Sequence, residues 1–340
     1  MQRLDYLRPA LLVFAALGAV GLAARASAEP YLAVTMGLKC VSCHVNPTGG
    51  GKRNAFGEAF AREVLPARTL AAGSDVLPGE IARWLAVGGD LRAGLNAADV
   101  PGADRTSEFG VSRATLYATV TPVPGLVTVY ADELVAPQGA SAREAYALIT
   151  PSAGRYTLKV GKFFLPYGWR LEDDSAFVRQ ASGINFTTPD SGVEAGLELP
   201  RWSAQAALTN GTAGGPENDA GKQLSLQASY VRPRWRIGAG ANVNNAALGD
   251  RAMATVFAGV RTGPIAWLAE IDAITDELAG GDVDRRASLL EGNWRFRKGH
   301  NLKVTYEFLD PSRQTPDDAR ERYSLVWEHS PVQFLQARLG

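Results

Sequence analysis

The sequence predicts an all-β fold: a transmembrane antiparallel β-barrel of about sixteen strands, preceded by a short N-terminal segment. Three observations predict it. From Arg83 onward apolar and polar residues alternate with a period of two. The connectors between the alternating runs are by turns short and long. Tryptophan recurs at the short-turn end of successive hairpins.

Residues 1–28 have the form of a secretory signal. Arg3 and Arg8 give a positive start, Pro9 to Ala24 is mostly apolar, and Ala26-Ser27-Ala28 is an A-x-A cleavage site. The apolar stretch is short for a membrane span of about 20 residues, so cleavage after Ala28 is expected rather than an anchor. Basic and acidic residues number 35 each, and removal of Arg3, Arg8, Arg25 and Asp5 leaves a net charge of about −2. There is no basic field to bind nucleic acid. No apolar run after Ala28 is long enough for a transmembrane helix, yet 46% of the chain is hydrophobic and must be buried or in lipid.

The two cysteines of the chain stand in Cys40-Val41-Ser42-Cys43-His44. This C-x-x-C-H run is the attachment signature of a c-type haem. The spacing lets Cys40 and Cys43 form thioethers with one porphyrin, and His44 reaches the iron as proximal ligand. Zinc normally takes four ligands, and no second cysteine pair exists. A redox dithiol belongs in a βαβ context that is not visible, and a disulfide across two residues would be strained. One covalent haem c is therefore expected, on a segment spanning residues 29–80.

That segment is punctuated by Thr48-Gly49-Gly50-Gly51. A helix is expected over residues 52–64, with Phe56 and Phe60 on one face at i, i+4. Those rings suit a haem face, and Lys52 or Arg53 suits its propionates; an ordinary amphipathic helix fits the pattern equally. The segment is too short to enclose a haem alone.

Residues 81–340 carry the barrel pattern. Leu224, Leu226, Ala228 and Tyr230 alternate with Ser225, Gln227 and Ser229, and Leu302, Val304, Tyr306 and Phe308 alternate with Lys303, Thr305 and Glu307. Such alternation gives strands with one apolar and one polar face. Fifteen strands of roughly ten residues, enough to cross a bilayer when tilted, are expected to begin near 84, 109, 125, 143, 154, 191, 201, 222, 234, 251, 263, 285, 300, 319 and 331. Short turns include 122–125, 200–201, 232–234, 262–264 and 330–331; long loops include 97–108, 133–143, 165–190, 210–221, 273–284 and 310–318. Of the seven tryptophans, Trp84, Trp202, Trp235, Trp267, Trp294 and Trp327 fall at the short-turn ends, and Trp169 does not. An aromatic at one end of each hairpin makes an interfacial girdle; a soluble β-sandwich would instead use them in its core. Bacterial barrels have an even strand count, so either one strand is miscounted or a sixteenth follows Gly340.

Residues 35–44, with Pro47 and Asn54-Ala55-Phe56-Gly57-Glu58-Ala59-Phe60, resemble the opening of fused cytochrome–porins. These are outer-membrane proteins of iron-oxidising bacteria with one c-type haem joined to a barrel. The resemblance implies a bacterial outer-membrane electron conduit with the haem segment on the periplasmic side or in the lumen. It would oxidise extracellular Fe(II) and pass electrons to a periplasmic c-type cytochrome, with outer-membrane lipid around the barrel. It covers residues 29–64 closely and the barrel only by architecture. Gly161-Lys162-Phe163-Phe164-Leu165-Pro166-Tyr167-Gly168 separately resembles a strand-end motif of phosphate-selective-type porins, where it precedes a loop that folds into the lumen.

The distal side of the iron is open in the sequence. His300 and His329 fall at short turns. Met253 shares parity with Phe257 and points to the lumen, and Met36 precedes the motif, so Met253 or Met36 is the candidate distal ligand, beside a vacant or water-bound site. Glu172, Asp173, Asp174 and Asp190 in the loop 165–190 would suit a hard cation such as Fe(II), or simply solvate the loop. Three functions stay open: the conduit, which would make the protein an Fe(II) oxidase; a solute porin whose haem is structural or sensory; and a soluble periplasmic cytochrome with a β-sandwich domain.

Overall fold

A computed structural model describes residues 29–71, 79–99, 102, 104–137, 139–184, 187–217, 219–247 and 249–340. The expected signal at residues 1–28 lies outside them. The N-terminal segment holds helix α1 (Pro30–Met36), a one-turn 3-10 helix (Cys40–Ser42) and helix α2 (Ala55–Glu63). Sixteen strands follow in one antiparallel sheet, paired strictly in chain order. They are β1 (Glu80–Ala82), β2 (Leu85–Ala98), β3 (Thr106–Val123), β4 (Val127–Ala136), β5 (Ser141–Ile149), β6 (Tyr156–Phe163), β7 (Asp190–Glu198) and β8 (Trp202–Thr209). The second half comprises β9 (Gln223–Val231), β10 (Trp235–Asn244), β11 (Arg251–Thr262), β12 (Ile265–Leu278), β13 (Gly281–Arg297), β14 (His300–Asp310), β15 (Arg320–His329) and β16 (Ala337–Leu339). Helix α3 (Phe177–Ser182) lies in the β6–β7 loop.

The polarity of the sheet is inverted relative to a soluble protein. On β12, Glu270 and Asp272 are fully buried, whereas Ile271 between them is 64% exposed. The same holds around the sheet: Glu144, Lys159, Glu194, Glu307 and Glu328 are buried, while Leu158, Val193, Leu226, Val304 and Leu325 are exposed. A charged interior and an apolar exterior suit a strand with lipid outside and a polar lumen inside. A sandwich would place them the other way, because an exposed apolar face of this extent is costly in water.

Curvature follows from the loop contacts. The neighbours Asp173 and Asp174 pair with Arg322 on β15 at 3.2 Å and Arg113 on β3 at 2.8 Å. In a flat sheet twelve strand spacings would separate those strands by about 58 Å. The sheet therefore curls around the β6–β7 loop and closes on an interior, although β1 and β16 are not hydrogen-bonded to each other among the described residues.

The fifteen expected strands correspond to β2–β16. The sixteenth is β1, whose three residues are too few to register as an alternation. The last strand begins at Ala337 rather than near 331, because Ser330, Pro331 and Gln333 instead meet residues 67–71: Ala67 N donates to the Ser330 carbonyl at 2.8 Å and Gln333 caps Leu70 N at 2.6 Å. The expected long loop 273–284 is corrected too. β12 runs on to Leu278 and pairs with Gly281 across a two-residue turn. Its charges are matched in the extended hairpin, with Asp276 binding both Arg251 at 3.1 Å and Arg285 at 3.0 Å, so polarity there marks solvated strand rather than loop.

Six tryptophans are 38–55% exposed at the short-turn ends, and Trp169 is buried at 3%. His300 and His329 join that rim: the cross-strand pair stacks at 4.1 Å beside Trp327 on the outward face.

Candidate functional site

The N-terminal segment sits inside the curled sheet, and its contacts run around the wall. Glu29 binds Lys303 on β14 at 3.3 Å, Arg261 on β11 donates to Thr35 O at 2.9 Å, and Arg236 on β10 donates to Leu38 O at 2.6 Å. Lys39 binds Glu198 at the end of β7 at 2.5 Å. The Tyr130 hydroxyl on β4 accepts from Lys52 N at 3.1 Å, and Asn46 donates to Glu144 on β5 at 2.9 Å. Both ends of the segment lie near short turns, Gly37 against Pro233 and Ala67 against Ser330.

The motif itself is a compact turn. Cys43 N and His44 N both donate to the Cys40 carbonyl at 3.1 Å. Asn54 fastens this turn to α2. Its side-chain amide donates to Val41 O at 3.1 Å and Ser42 O at 3.2 Å, and its oxygen caps the helix by accepting from Gly57 N at 3.0 Å. That cap explains why α2 starts at Ala55 rather than at the expected 52. A side chain at Gly57 would put Cβ 2.1 Å from the Cys43 carbonyl oxygen, so only glycine allows the approach. Phe56 and Phe60 stack at 6.5 Å, but Phe56 is 50% exposed and only Phe60 of the two lines the cavity described next.

Cys40, Cys43 and His44 open onto a cleft that encloses about 1040 Å³ including its mouth. Its apolar lining includes Leu32, Leu38, Phe60, Trp169 and Phe257, and its polar lining includes Arg53, Arg170, Arg236, Gln205 and Gln227. The β6–β7 loop folds inward over it, as the resemblance of residues 161–168 led one to expect: Trp169 is held by Nε1 on Ala269 O at 3.0 Å and by its N–H on Glu270 at 2.7 Å. Its ring meets Phe257 edge-on at 5.0 Å.

These residues fit a c-type haem. Both thiols are free, and the cleft has mostly apolar walls with a few polar groups, the kind of lining that takes a cofactor. His44 is 7% exposed, and its Nδ1 has no hydrogen-bond partner among the described residues. Burial lowers its pKa to about 3, Arg53 and Arg170 adding to the shift and the backbone of Gly50 and Gly51 opposing it. The imidazole is thus neutral, the form that ligates metals. Burial also pushes the Cys43 thiol up, with Cys40 adding and Arg53 opposing. Of the two candidate propionate partners, Lys52 is committed to Glu58 at 2.6 Å, while Arg53 lines the cleft.

The candidate distal ligands separate as well. Met36 lines the cleft and is 45% exposed. Met253 faces the lumen as its parity indicates and is 5% exposed, in the core with Phe257, but it is not part of the cleft wall. His300 and His329 face outward and are not part of it either. The acidic residues of the inward loop are tied to the wall: Glu172 to Arg92 and Arg338, Asp173 to Arg322, Asp174 to Arg113. Asp190 accepts from Gly211 N at 2.5 Å and Ser191 N at 2.9 Å. Among the described residues no group of three or more His, Cys, Asp or Glu side chains is gathered to hold a metal ion.

Sequence reasoning missed the wall's share of the site. Arg236 carried a signal in the polar parity it shares with Gly238, Gly240 and Asn242, and Trp169 in being the one tryptophan outside the girdle. Nothing local marked Leu32, because α1 is too short to show a period.

No family model and no curated protein matches the chain. Solved structures do resemble its fold. The anion-selective porin from Comamonas acidovorans superposes with a TM-score of 0.55 at 13% identity, covering 72% of this chain and 84% of that one. The outer membrane protein OmpT of Vibrio cholerae gives 0.53 at 15% identity, with 73% and 83% covered. The outer membrane channel DcaP of Acinetobacter baumannii gives 0.54 at 13% identity, with 75% and 89% covered. The fold is porin-like.

Proposed function

We propose that the chain is an outer-membrane electron conduit, a porin-type barrel plugged by a c-type haem segment. The observation that carries this reading is the position of Cys40, Cys43 and His44 inside the lumen, on a cleft whose other walls are the barrel and its inward loop. Cys40 and Cys43 would hold the haem covalently and His44 would ligate its iron, giving a one-electron centre. The wall supplies the low-dielectric shelter that a segment of this length lacks. Both ends of the segment lie at the short-turn side, which in this barrel type faces the periplasm. Extracellular Fe(II) is the proposed donor and a periplasmic c-type cytochrome the proposed acceptor.

The porin-like neighbours support the outer-membrane barrel and carry no information on electron transfer. They favour a second reading, a solute porin whose haem is structural or sensory. A luminal space of about 1420 Å³ including its open mouth, lined by Arg92, Arg113, Lys303, Glu291 and Glu307, is left beside the segment and gives that reading a route.

Membrane fractionation with haem staining tests both against a soluble cytochrome. Haem-stained protein in the outer-membrane fraction is expected, and recovery in the soluble periplasm overturns the barrel reading. Planar-bilayer recording then divides the two: low conductance fits a plugged conduit, and a large, solute-selective conductance fits a porin.

A further inference from the structure

Among the described residues, the barrel wall brings to the cleft a cation that forms no ion pair. Arg236, on β10, is 5% exposed. Its Nη2 donates to Leu38 O at 2.6 Å, its Nη1 lies 3.9 Å from Cys40 Sγ, and its Nε has no partner. The guanidinium rests on the Trp169 ring at 5.6 Å from the centroid, a cation–π arrangement that helps fix its position. Among the described residues, its hydrogen bonds are to backbone and sulfur and it forms no ion pair.

Two other cations of the cleft, one on the inward loop and one on the segment, are paired with carboxylates. Arg170 binds Glu144 at 3.1 Å and Lys39 binds Glu198 at 2.5 Å. Arg53 belongs to the segment and has Asp90 and Glu172 acting on it. Around Arg236 the wall offers Ser203, Gln205, Gln227 and Ser229, all neutral.

We propose that Arg236 sets the potential of the redox centre, as a fixed positive charge that the barrel places against the haem cleft. The inference rests on the haem reading above. A buried cation acts through a low dielectric and is little screened by salt. It disfavours the more positive, oxidised state of a nearby iron and so raises the reduction potential. The sign is the same whether the guanidinium faces the porphyrin edge or neutralises a propionate. A raised potential makes the centre a better acceptor for a weakly reducing donor such as Fe(II). Because Arg236 grips Leu38 of the segment, the centre acquires this potential only once the segment is seated in the barrel.

The test is a spectroelectrochemical titration of the purified, full-length haem protein. Arg236→Gln is expected to lower the midpoint potential while haem stain and visible spectrum stay as in the parent, and Arg236→Lys is expected to restore it. Ser229→Asp, which adds a carboxylate to the same stretch of wall without removing the Leu38 contact, is expected to lower it too. An unchanged potential in Arg236→Gln and Ser229→Asp, or equal shifts in the Gln and Lys variants, overturns the proposal. Absence of covalent haem from the parent protein overturns instead the reading on which it rests.

Discussion

Asn46 donates to the Glu144 carboxylate at 2.9 Å, joining the residue two positions after His44 to the barrel wall. Glu144 is fully buried and also accepts from Phe164 N at 3.2 Å and Arg170 at 3.1 Å. One carboxylate therefore holds the wall, the inward loop and the N-terminal segment together. Arg170 completes the circuit by donating to Thr48 Oγ1 at 3.0 Å.

Removing the segment's share of that hub should loosen the plug without unfolding the barrel. A hydrogen bond to a charged group contributes about 1.5–3 kcal/mol. Asn46→Ala is expected to weaken docking by that order, read as faster tryptic cleavage within residues 29–71 and higher bilayer conductance. Parental protease resistance and conductance would count against the hub.

Covalent attachment depends on both thiols. Cys40→Ala with Cys43→Ala is expected to abolish haem staining while heat-modifiable barrel mobility persists on gels. His44→Ala is expected to keep some covalent stain and to lose the parental visible spectrum, because the thioethers and the iron ligand are separate bonds. Parental staining in the double cysteine variant would remove the haem assignment.

Without haem, the buried His44 makes the docked segment sensitive to acid. An unfolded histidine titrates near 6.5, and burial lowers the folded value to about 3. Between these values the undocked state binds the proton and the docked state does not, so stability falls as pH drops from about 6.5 toward 3. In the double cysteine variant, protease resistance of residues 29–71 should decline across that window. His44→Gln in the same background should flatten the decline; an identical pH profile would contradict this account.

The two faces of the wall should differ in how much an added charge costs. Ile271 is 64% exposed toward the lipid-facing side and Glu270 is fully buried in the lumen. Ile271→Lys should destabilise the barrel by about 2–4 kcal/mol, the range for a cation on the lipid face near the midplane, seen in urea-driven unfolding from lipid vesicles. Thr305→Lys, on the luminal face of β14, should cost much less. Equal costs would argue for a soluble sandwich.

Much of this was legible in the chain because a barrel writes its two faces into alternate residues. Glu270, Ile271 and Asp272 state inside, outside and inside by chemistry alone, and Trp202, Trp235 and Trp267 mark the rim. The C-x-x-C-H run at Cys40, Cys43 and His44 stands out in the chain because it is local, and the structure places it as one compact turn. What was not legible depends on long-range geometry. Asp276 reads as loop because it is charged, yet it sits in an extended hairpin matched by Arg251 and Arg285. Asp173 and Asp174 read as a solvated acidic surface, since nothing nearby in sequence announces Arg322 and Arg113. Arg236 and Trp169 reach the cleft beside Cys40 and His44 only because the sheet curls and the loop folds inward.

A conduit must take electrons from outside into the centre in the lumen. The most direct measurement is the visible spectrum of the oxidised, membrane-embedded protein during anaerobic addition of Fe(II) to the long-loop side. The account predicts conversion to the reduced haem spectrum, stoichiometric with one haem per chain. A spectrum unchanged by Fe(II), in protein that dithionite still reduces, would contradict it.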